Sequence, residues 1–503
     1  MTSIRTRTTH PTNPPTVSAD RAAGVLLGLA SGDALGAGYE FGGPLPNDAP
    51  VGMIGGGAFG WAPGEWTDDT AMAMPIARAA ARGADLRDEA VLDEIVVAWI
   101  EWSRTAADVG TQTRQVLAEA ARNGGTAAAA RLASRTLHER TGRSAGNGSL
   151  MRTAPVALAH LHDVDALADA ARALSSLTHW DDDAGDACVL WSLAIRHAVL
   201  TGDLDARIGL AALPAERRDR WAALLDDAER RQPRDFEHNG WVVEALQGAW
   251  SSIHHARISS IGETASMLRD GLERAVRGGR DTDTVAAIAG GLLGGAVGAS
   301  AVPTAWRLQL HGWPGLRTPD LVEIAVLAAN GGESYPSGWP AGARMDYLRF
   351  PNRHALIAHP RDGGVMLGAI DDLDAADVEA VVSLCRIGTQ QRRSGDHVEV
   401  WLIDDPDPSK NPNLQAVLRD AADAVAVFRA QGKRVLLHCV QAQSRTPSVA
   451  ALYAALYREV PIDQALAEVV AALPAAHPQQ FLIRAVRRIA AAGPTHNLPT
   501  ATG

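Results

Sequence analysis

The stretch NGGESYPSGWPAGARMD, residues 330–346, divides the chain into two patterns. It is dense in Gly, Pro, Ser and Asn, the residues that interrupt helices and strands and build turns. Before it, apolar residues recur at helical spacing in segment after segment. After it, short apolar or alternating runs of strand length alternate with helical stretches. The first pattern predicts an all-α unit and the second a small α/β unit. The boundaries read as a disordered arm over 1–17, a helical unit over 18–325, a linker over 326–344 and an α/β unit over 345–495.

Upstream of the divide, Ser18 and Asp20 are suited to cap a helix in ADRAAGVLLGLASGDALGAGYEF. Its glycines let another backbone pass close. A Gly/Pro loop over 42–66 then delivers the chain to Thr67. Further helices are predicted in succession, among them 70–82, 87–104, 183–200, 240–252, 260–275 and one starting at 284. The run from Thr284 to Trp306 carries no charge. Its residues are small rather than large and come after two aspartates, so it reads as a buried helix and not as a membrane span. Downstream, HALIAHP, GVMLGAI, HVEVWLI and KRVLLHCV read as strands, with helices over 375–386, 414–430, 447–458, 462–474 and 477–492. The last residues read as a disordered tail.

The chain has 503 residues, which fits two or three domains, and a formal net charge of −11, which argues against general attraction to nucleic acid or an anionic membrane. Three cysteines, Cys188, Cys385 and Cys439, make neither a disulfide framework nor a thiolate zinc site. The N-terminus has no apolar core of a signal peptide, so a reducing cytoplasm is the expected setting.

Two groups of residues carry chemistry. Thr67-Asp68-Asp69-Thr70 and Asp281-Thr282-Asp283-Thr284 supply carboxylates and hydroxyls without soft ligands, the donor set of hard divalent cations. Helices starting in each motif point these oxygens and free amides one way, and cations neutralise the crowded charge. Helix capping alone is the alternative. Near the C-terminus, VLLHCVQAQSRTPS places Cys439 after a buried strand, with a five-residue loop before Arg445 and a helix start at Thr446-Pro447. Loop amides and the helix dipole suit a phosphate, Arg445 suits two of its oxygens, and Cys439 suits attack on phosphorus. Gln443 stands in a tight turn where glycine is easier. Asp404, Asp405 and Asp407 lie about where a general acid is needed. Spacing favours Asp407 and the strand end favours Asp405.

The N-terminal unit resembles the ADP-ribosylglycohydrolase family, of the dinitrogenase-reductase-activating type. Six ordered segments carry the resemblance: GLASGDALGAGYEF (28–41), WTDDTAM (66–72), GNGSLMRTAP (146–155), SLTHWD (176–181), GWVVEALQGAW (240–250) and GGRDTDTVAAIAGGLLGG (278–295). The resemblance implies an all-helical fold, two Mg²⁺ (or Mn²⁺) ions and hydrolysis of the glycosidic bond between ADP-ribose and an acceptor. It implies Thr67, Asp68, Asp69, Asp281, Asp283 and Thr284 as metal ligands and Glu40, or Asp33 in the same loop, as the group that handles the water, with Glu40 favoured. Asp33, Gly146, Asn147, Gly148, Ser149 and His179 are implied on the substrate, with Asp33 also suited to structural support. Arg280, within GGRDTDT, departs from the family's usual Gly-Gly-Asp and points either to substrate phosphate or to solvent. The C-terminal unit resembles the protein tyrosine and dual-specificity phosphatases through Cys-x5-Arg. That implies a phosphocysteine enzyme with Cys439, Arg445 and Asp405 or Asp407, or a non-catalytic module that recognises phosphate. An ADP-ribosylated protein or small molecule is the expected substrate, and a phosphorylated one for the second unit.

Overall fold

The structure is a computed structural model and describes residues 17–260 and 264–493. Of the predicted arm over 1–17, residues 1–16 lie outside the described residues, and Val17 packs against the core; the predicted tail after 493 also lies outside them. The chain opens with α1 (Ala19–Gly36), α2 (Asp68–Ala81), α3 (Glu89–Ser103), α4 (Thr111–Arg122), α5 (Ala127–Thr141), α6 (Ala154–Ala159) and α7 (Val164–Ser176). It continues with α8 (Asp182–Thr201), α9 (Ala215–Arg230), α10 (Val242–Ser259), α11 (Thr264–Arg277), α12 (Thr282–Val297), α13 (Thr304–Gln309) and α14 (Thr318–Ala329). A two-residue ladder, β1 (His311–Gly312) with β2 (Leu316–Arg317), is the one sheet in this part among the described residues.

Two of these helices form the centre. Ser18 caps α1 through the Arg21 amide, and from Ala22 to Gly36 every residue of α1 is buried. All of α12 is buried as well. A helix apolar all round belongs inside a core. The two meet backbone to backbone. A Cβ on Gly28 would stand 2.1 Å from the Gly290 carbonyl oxygen, and one on Gly294 would stand 1.8 Å from that of Gly24. Gly32 and Gly36 continue the seam toward Ala286 and Asp283. The spacing of four residues keeps the glycines on one helix face. The seam thus brings the C-terminal end of α1 against the N-terminal end of α12. The uncharged run at 284–306 comprises most of α12, the turn after it and the start of α13. No helix among the described residues is long and apolar enough to cross a membrane.

The second part has a five-stranded sheet in the order β3 (Ile357–His359), β4 (Asp362–Gly368), β7 (Val435–His438), β5 (Ala380–Ser383), β6 (Asp396–Glu399). β3 runs antiparallel to β4 and the other pairings are parallel. Helices α15 (Leu414–Ala430), α16 (Arg445–Tyr457), α17 (Ile462–Ala472) and α18 (Gln480–Ala492) complete it, α15, α16 and α18 covering the face of Val435 and Leu437. Ile370, Leu373, Val381 and Leu436 make a smaller cluster on the other face.

One predicted element is corrected. The helix expected over 375–386 is β5, which pairs with the central strand β7. Its four residues are buried, as in a parallel strand covered on both faces. Val381 and Val382 favour that pleated surface, and they outweigh the helix-forming Ala, Asp and Glu just before them.

The two parts touch through specific contacts. Asn413 donates to the Val297 carbonyl and the Ser300 hydroxyl, both at 2.8 Å. Ser300 in turn donates to Asp20 of α1 at 2.6 Å. Arg307 donates to the Glu399 carbonyl at 2.7 Å.

Candidate functional site

The acidic site is assembled where three helix ends converge. Asp68 and Asp69 open α2, Asp283 sits in the first turn of α12, and Glu40 comes just after the short 3-10 turn at the end of α1. Asp33, Asp69 and Asp283 each offer a carboxylate oxygen within 4.8 Å of the others. Glu40, Asp281 and Asp283 do the same, so Asp283 belongs to both groups. Thr67 adds its hydroxyl, 3.1 Å from Asp69 Oδ2 and 3.4 Å from Asp283 Oδ2. The Thr284 amide donates to Asp283 Oδ1 at 2.9 Å. The two motifs of the sequence are therefore one site.

Its electrostatics are those of crowded buried carboxylates. Burial first, and then neighbouring carboxylates, push Asp68, Asp69 and Asp283 well above the usual range. Burial, then Asp281, Asp108, Asp68 and Asp33, raise Glu40 to about 9. Asp69 Oδ1, Glu40 Oε2 and Thr70 Oγ1 are buried with no hydrogen-bond partner among the described residues. A buried oxygen without a donor is costly, and an all-oxygen cluster answers that cost with a hard cation. The residues present fit such an ion.

Asp33, expected on the substrate side, is fully buried and holds the start of α2. Its Oδ1 accepts from the Thr67 amide at 2.8 Å and its Oδ2 from the Thr70 amide at 2.9 Å. Both are free N–H groups at the start of α2, so Asp33 fastens α2 to α1. Asp108 has no signal in the sequence. It raises the Glu40 and Asp68 carboxyls by its charge, but it stands in TAADVG with no pattern around it.

The loop Gly146–Ser149 leans on the same centre. Asn147 Nδ2 donates to Asp281 Oδ2 at 2.8 Å and to the Asn239 carbonyl at 2.9 Å. His179 lies under this loop, where a Cβ on Gly148 would come 3.1 Å from its ring and one on Gly146 3.3 Å. Its Nδ1 is 2.7 Å from Thr178 Oγ1, and burial lowers it to about 3, so it is a neutral floor to the loop. Arg152 is buried beside it, donating to Thr178 Oγ1 at 2.7 Å over the Trp99 ring. Arg280 has a left-handed φ of 67° and turns its guanidinium to the Arg234 carbonyl, 3.2 Å away, and to the Glu237 carboxylate, 3.6 Å away.

The cysteine loop is local. Cys439 comes directly after β7, and Arg445 begins α16. Arg445 Nη1 donates to the carbonyls of Leu384 at 2.6 Å and Leu402 at 3.1 Å. Its Nε is buried and unpartnered among the described residues. The left-handed residue of the loop is Ala442, with φ 54°, and not Gln443. Of the three aspartates, Asp404 meets the loop. It accepts from Ser444 Oγ at 2.9 Å and lies 4.0 Å from Arg445 Nε. Asp405 pairs with Lys410, and exposed Asp407 accepts from the Ser409 amide and hydroxyl, so neither is brought to Cys439.

Residues 14–335 match the family model described as ADP-ribosylglycohydrolase. The chain is 32% identical over 300 residues to an ADP-ribosylarginine hydrolase Tri1 of Pseudomonas putida (strain GB-1), covering 58% of this chain and 74% of the relative. It is 30% identical over 304 residues to an ADP-ribosyl-[dinitrogen reductase] glycohydrolase of Rhodospirillum rubrum, covering 58% and 90%. Among solved structures, an ADP-ribosylglycohydrolase-related protein complex is 27% identical, covers 63% of this chain and 99% of that one, and has a TM-score of 0.45. Human DUSP28 is 21% identical, covers 28% and 96%, and has a TM-score of 0.25.

Proposed function

The chain belongs to the ADP-ribosylglycohydrolase family and is a hydrolase; on that premise we propose that its acidic site cleaves the bond between ADP-ribose and an arginine side chain of a modified protein. The activity named for the Pseudomonas relative supports arginine as the acceptor. The observation that carries the reading is the buried carboxylate cluster whose Asp69 Oδ1 and Glu40 Oε2 lack donors among the described residues.

We assign Thr67, Asp68, Asp69, Asp281, Asp283 and Thr284 to holding two Mg²⁺ or Mn²⁺ ions. Bound there, such a cation polarises oxygen and orients ribose hydroxyls. Asp33 fixes the first turn of α2 so that Asp69 stays aimed inward. Glu40, through Oε2, holds or moves the proton of the attacking water. The Gly146–Ser149 loop offers amides to the diphosphate, with His179 beneath it setting its height. The test is release of ADP-ribose from ADP-ribosyl-arginine and from ADP-ribosylated protein, with and without Mg²⁺. No release from either, under either condition, refutes the reading.

The α/β unit, over 345–495, is proposed as a phosphate site in which Arg445 Nε and the loop amides take the anion. Cys439 attacks phosphorus, and Asp404 gives its proton to the leaving oxygen. A recognition module without turnover is the second reading. It is favoured by the ties that Ser444 and Gln479 already make to Asp404 Oδ1. Hydrolysis of an aryl phosphate by wild type and not by Cys439→Ser supports the first; equal rates refute cysteine catalysis. The three cysteines are free thiols, which supports a reducing cytoplasmic setting.

A further inference from the structure

Three polar side chains stand side by side on three neighbouring strands, behind the cysteine loop. Ser383 ends β5, His397 lies in β6, and His438 ends β7. Ser383 is paired with His438 across the ladder. Its Oγ is 2.6 Å from His438 Nε2 and 2.7 Å from His397 Nε2. A serine hydroxyl has one proton, so it donates to one ring and accepts from the other.

The outer partners fix the direction. The Arg393 amide can only donate, and it donates to His397 Nδ1 at 3.0 Å. A neutral ring that accepts at Nδ1 carries its proton on Nε2, so His397 donates to Ser383. Ser383 then donates to His438 Nε2, which leaves the His438 proton on Nδ1. That N–H faces the Cys439 carbonyl oxygen, 3.3 Å away. Both rings are held neutral, with burial lowering His397 to about 3 and His438 to about 4. The four hydrogen bonds run one way, from the Arg393 amide to the Cys439 carbonyl.

We infer that Ser383 and His397 are positioning residues for Cys439, acting through His438 on the peptide after the thiol. In a trans peptide the N–H points opposite to the C=O. Holding the Cys439 carbonyl toward His438 therefore turns the Val440 amide the other way, into the loop. The site reading uses Cys439, Arg445 and Asp404; this chain of hydrogen bonds adds residues from two further strands, 56 and 42 positions from Cys439 in sequence.

The inference rests on the phosphate-loop reading, and its test is separable from it. In the full chain, Ser383→Ala, Ser383→Thr and wild type are compared by iodoacetamide labelling of Cys439, read by mass spectrometry. Cys188 and Cys385 serve as internal controls. Aryl phosphate kcat and KM and the ¹⁵N signals of the His438 ring are measured alongside. Removing the hydroxyl leaves two ring nitrogens without their partner, so Ser383→Ala is expected to label and turn over about tenfold more slowly, with KM little changed. The His438 ring is expected to leave its single tautomer, and Ser383→Thr is expected to restore both rate and signal. Labelling of Ser383→Ala at the wild-type rate, or an unchanged His438 tautomer, overturns the inference. Wild type that turns over no aryl phosphate removes the phosphatase reading only, and the labelling ratio still decides this one.

Discussion

The acidic site and the cysteine loop are built in opposite ways. The first collects Asp33, Glu40, Asp69 and Asp283 from helix ends separated by up to 250 positions. The packing of α1 on α12, together with the hold of Asp33 on the start of α2, brings them together. The second places Cys439, its loop and Arg445 within seven consecutive residues between β7 and α16. Its geometry comes from a strand, a turn and a helix start. The first site fails when the packing of the helices fails, whereas the loop depends on its own strand and on the two strands beside it. The two regions therefore respond to different substitutions.

The sharpest way to separate them is to remove one ligand at a time. Asp69→Ala is expected to lower ADP-ribose release about a thousandfold or more and to lower the bound metal, while aryl phosphate hydrolysis is unchanged. Metal analysis by mass spectrometry beside both assays checks this. Cys439→Ser is the mirror experiment, with loss of aryl phosphate turnover and full ADP-ribose release. A variant that disables both activities breaks the comparison.

Packing comes next. Gly28→Ala puts a methyl where the Gly290 carbonyl already stands, so α1 and α12 must separate. The expected cost is about 2–4 kcal/mol, with ADP-ribose release falling and the cysteine loop still labelled at its own rate. Urea unfolding, with both assays run on the same samples, reads it. Asp404→Asn is expected to slow aryl phosphate turnover by about ten- to a hundredfold, and Asp405→Asn and Asp407→Asn to leave it unchanged. Equal losses in all three sink the assignment of Asp404.

The smallest effect lies at the joint. Burial raises the Asp20 carboxyl to about 6. The folded state thus holds this proton more tightly than the unfolded chain. The resulting stability is whole below the ordinary aspartate range and is lost as pH rises through about 6. Its size is on the order of 2 kcal/mol, and Asp20→Asn is expected to flatten that part of the pH dependence of the urea midpoint. Asp20 reaches Asn413 through Ser300. Two unfolding transitions, of which only one moves, would show that the regions unfold separately.

Much of this is legible in the residues and some is not. TDDT, DTDT and Cys-x5-Arg are contiguous, so their chemistry is written in order. The glycines of α1 announce a close backbone, although not that α12 is the partner. Proximity to Glu40 in sequence puts Asp33 with the substrate, and it does not tell which side of a helix end faces inward. The choice of Asp404 over its neighbours depends on how the chain turns after Leu402, which spacing alone does not carry. β5 reads as a helix in sequence because Asp, Ala and Glu crowd the residues before Val381. Ser383 and His397 have no motif at all, and only the strand order joins them to His438.

The glycine seam has one more consequence. Side chains in a core hop between rotamers and relax around a change, and peptide groups in contact do neither. The gap between α1 and α12 is set by the van der Waals size of two backbones. Asp33 on α1 and Asp283 on α12, which face each other at one end of that contact, are thus held at a span that the surrounding helices do not adjust. The seam works as a fixed gauge: sequence around it is free to drift, while the separation of the carboxylates stays the same.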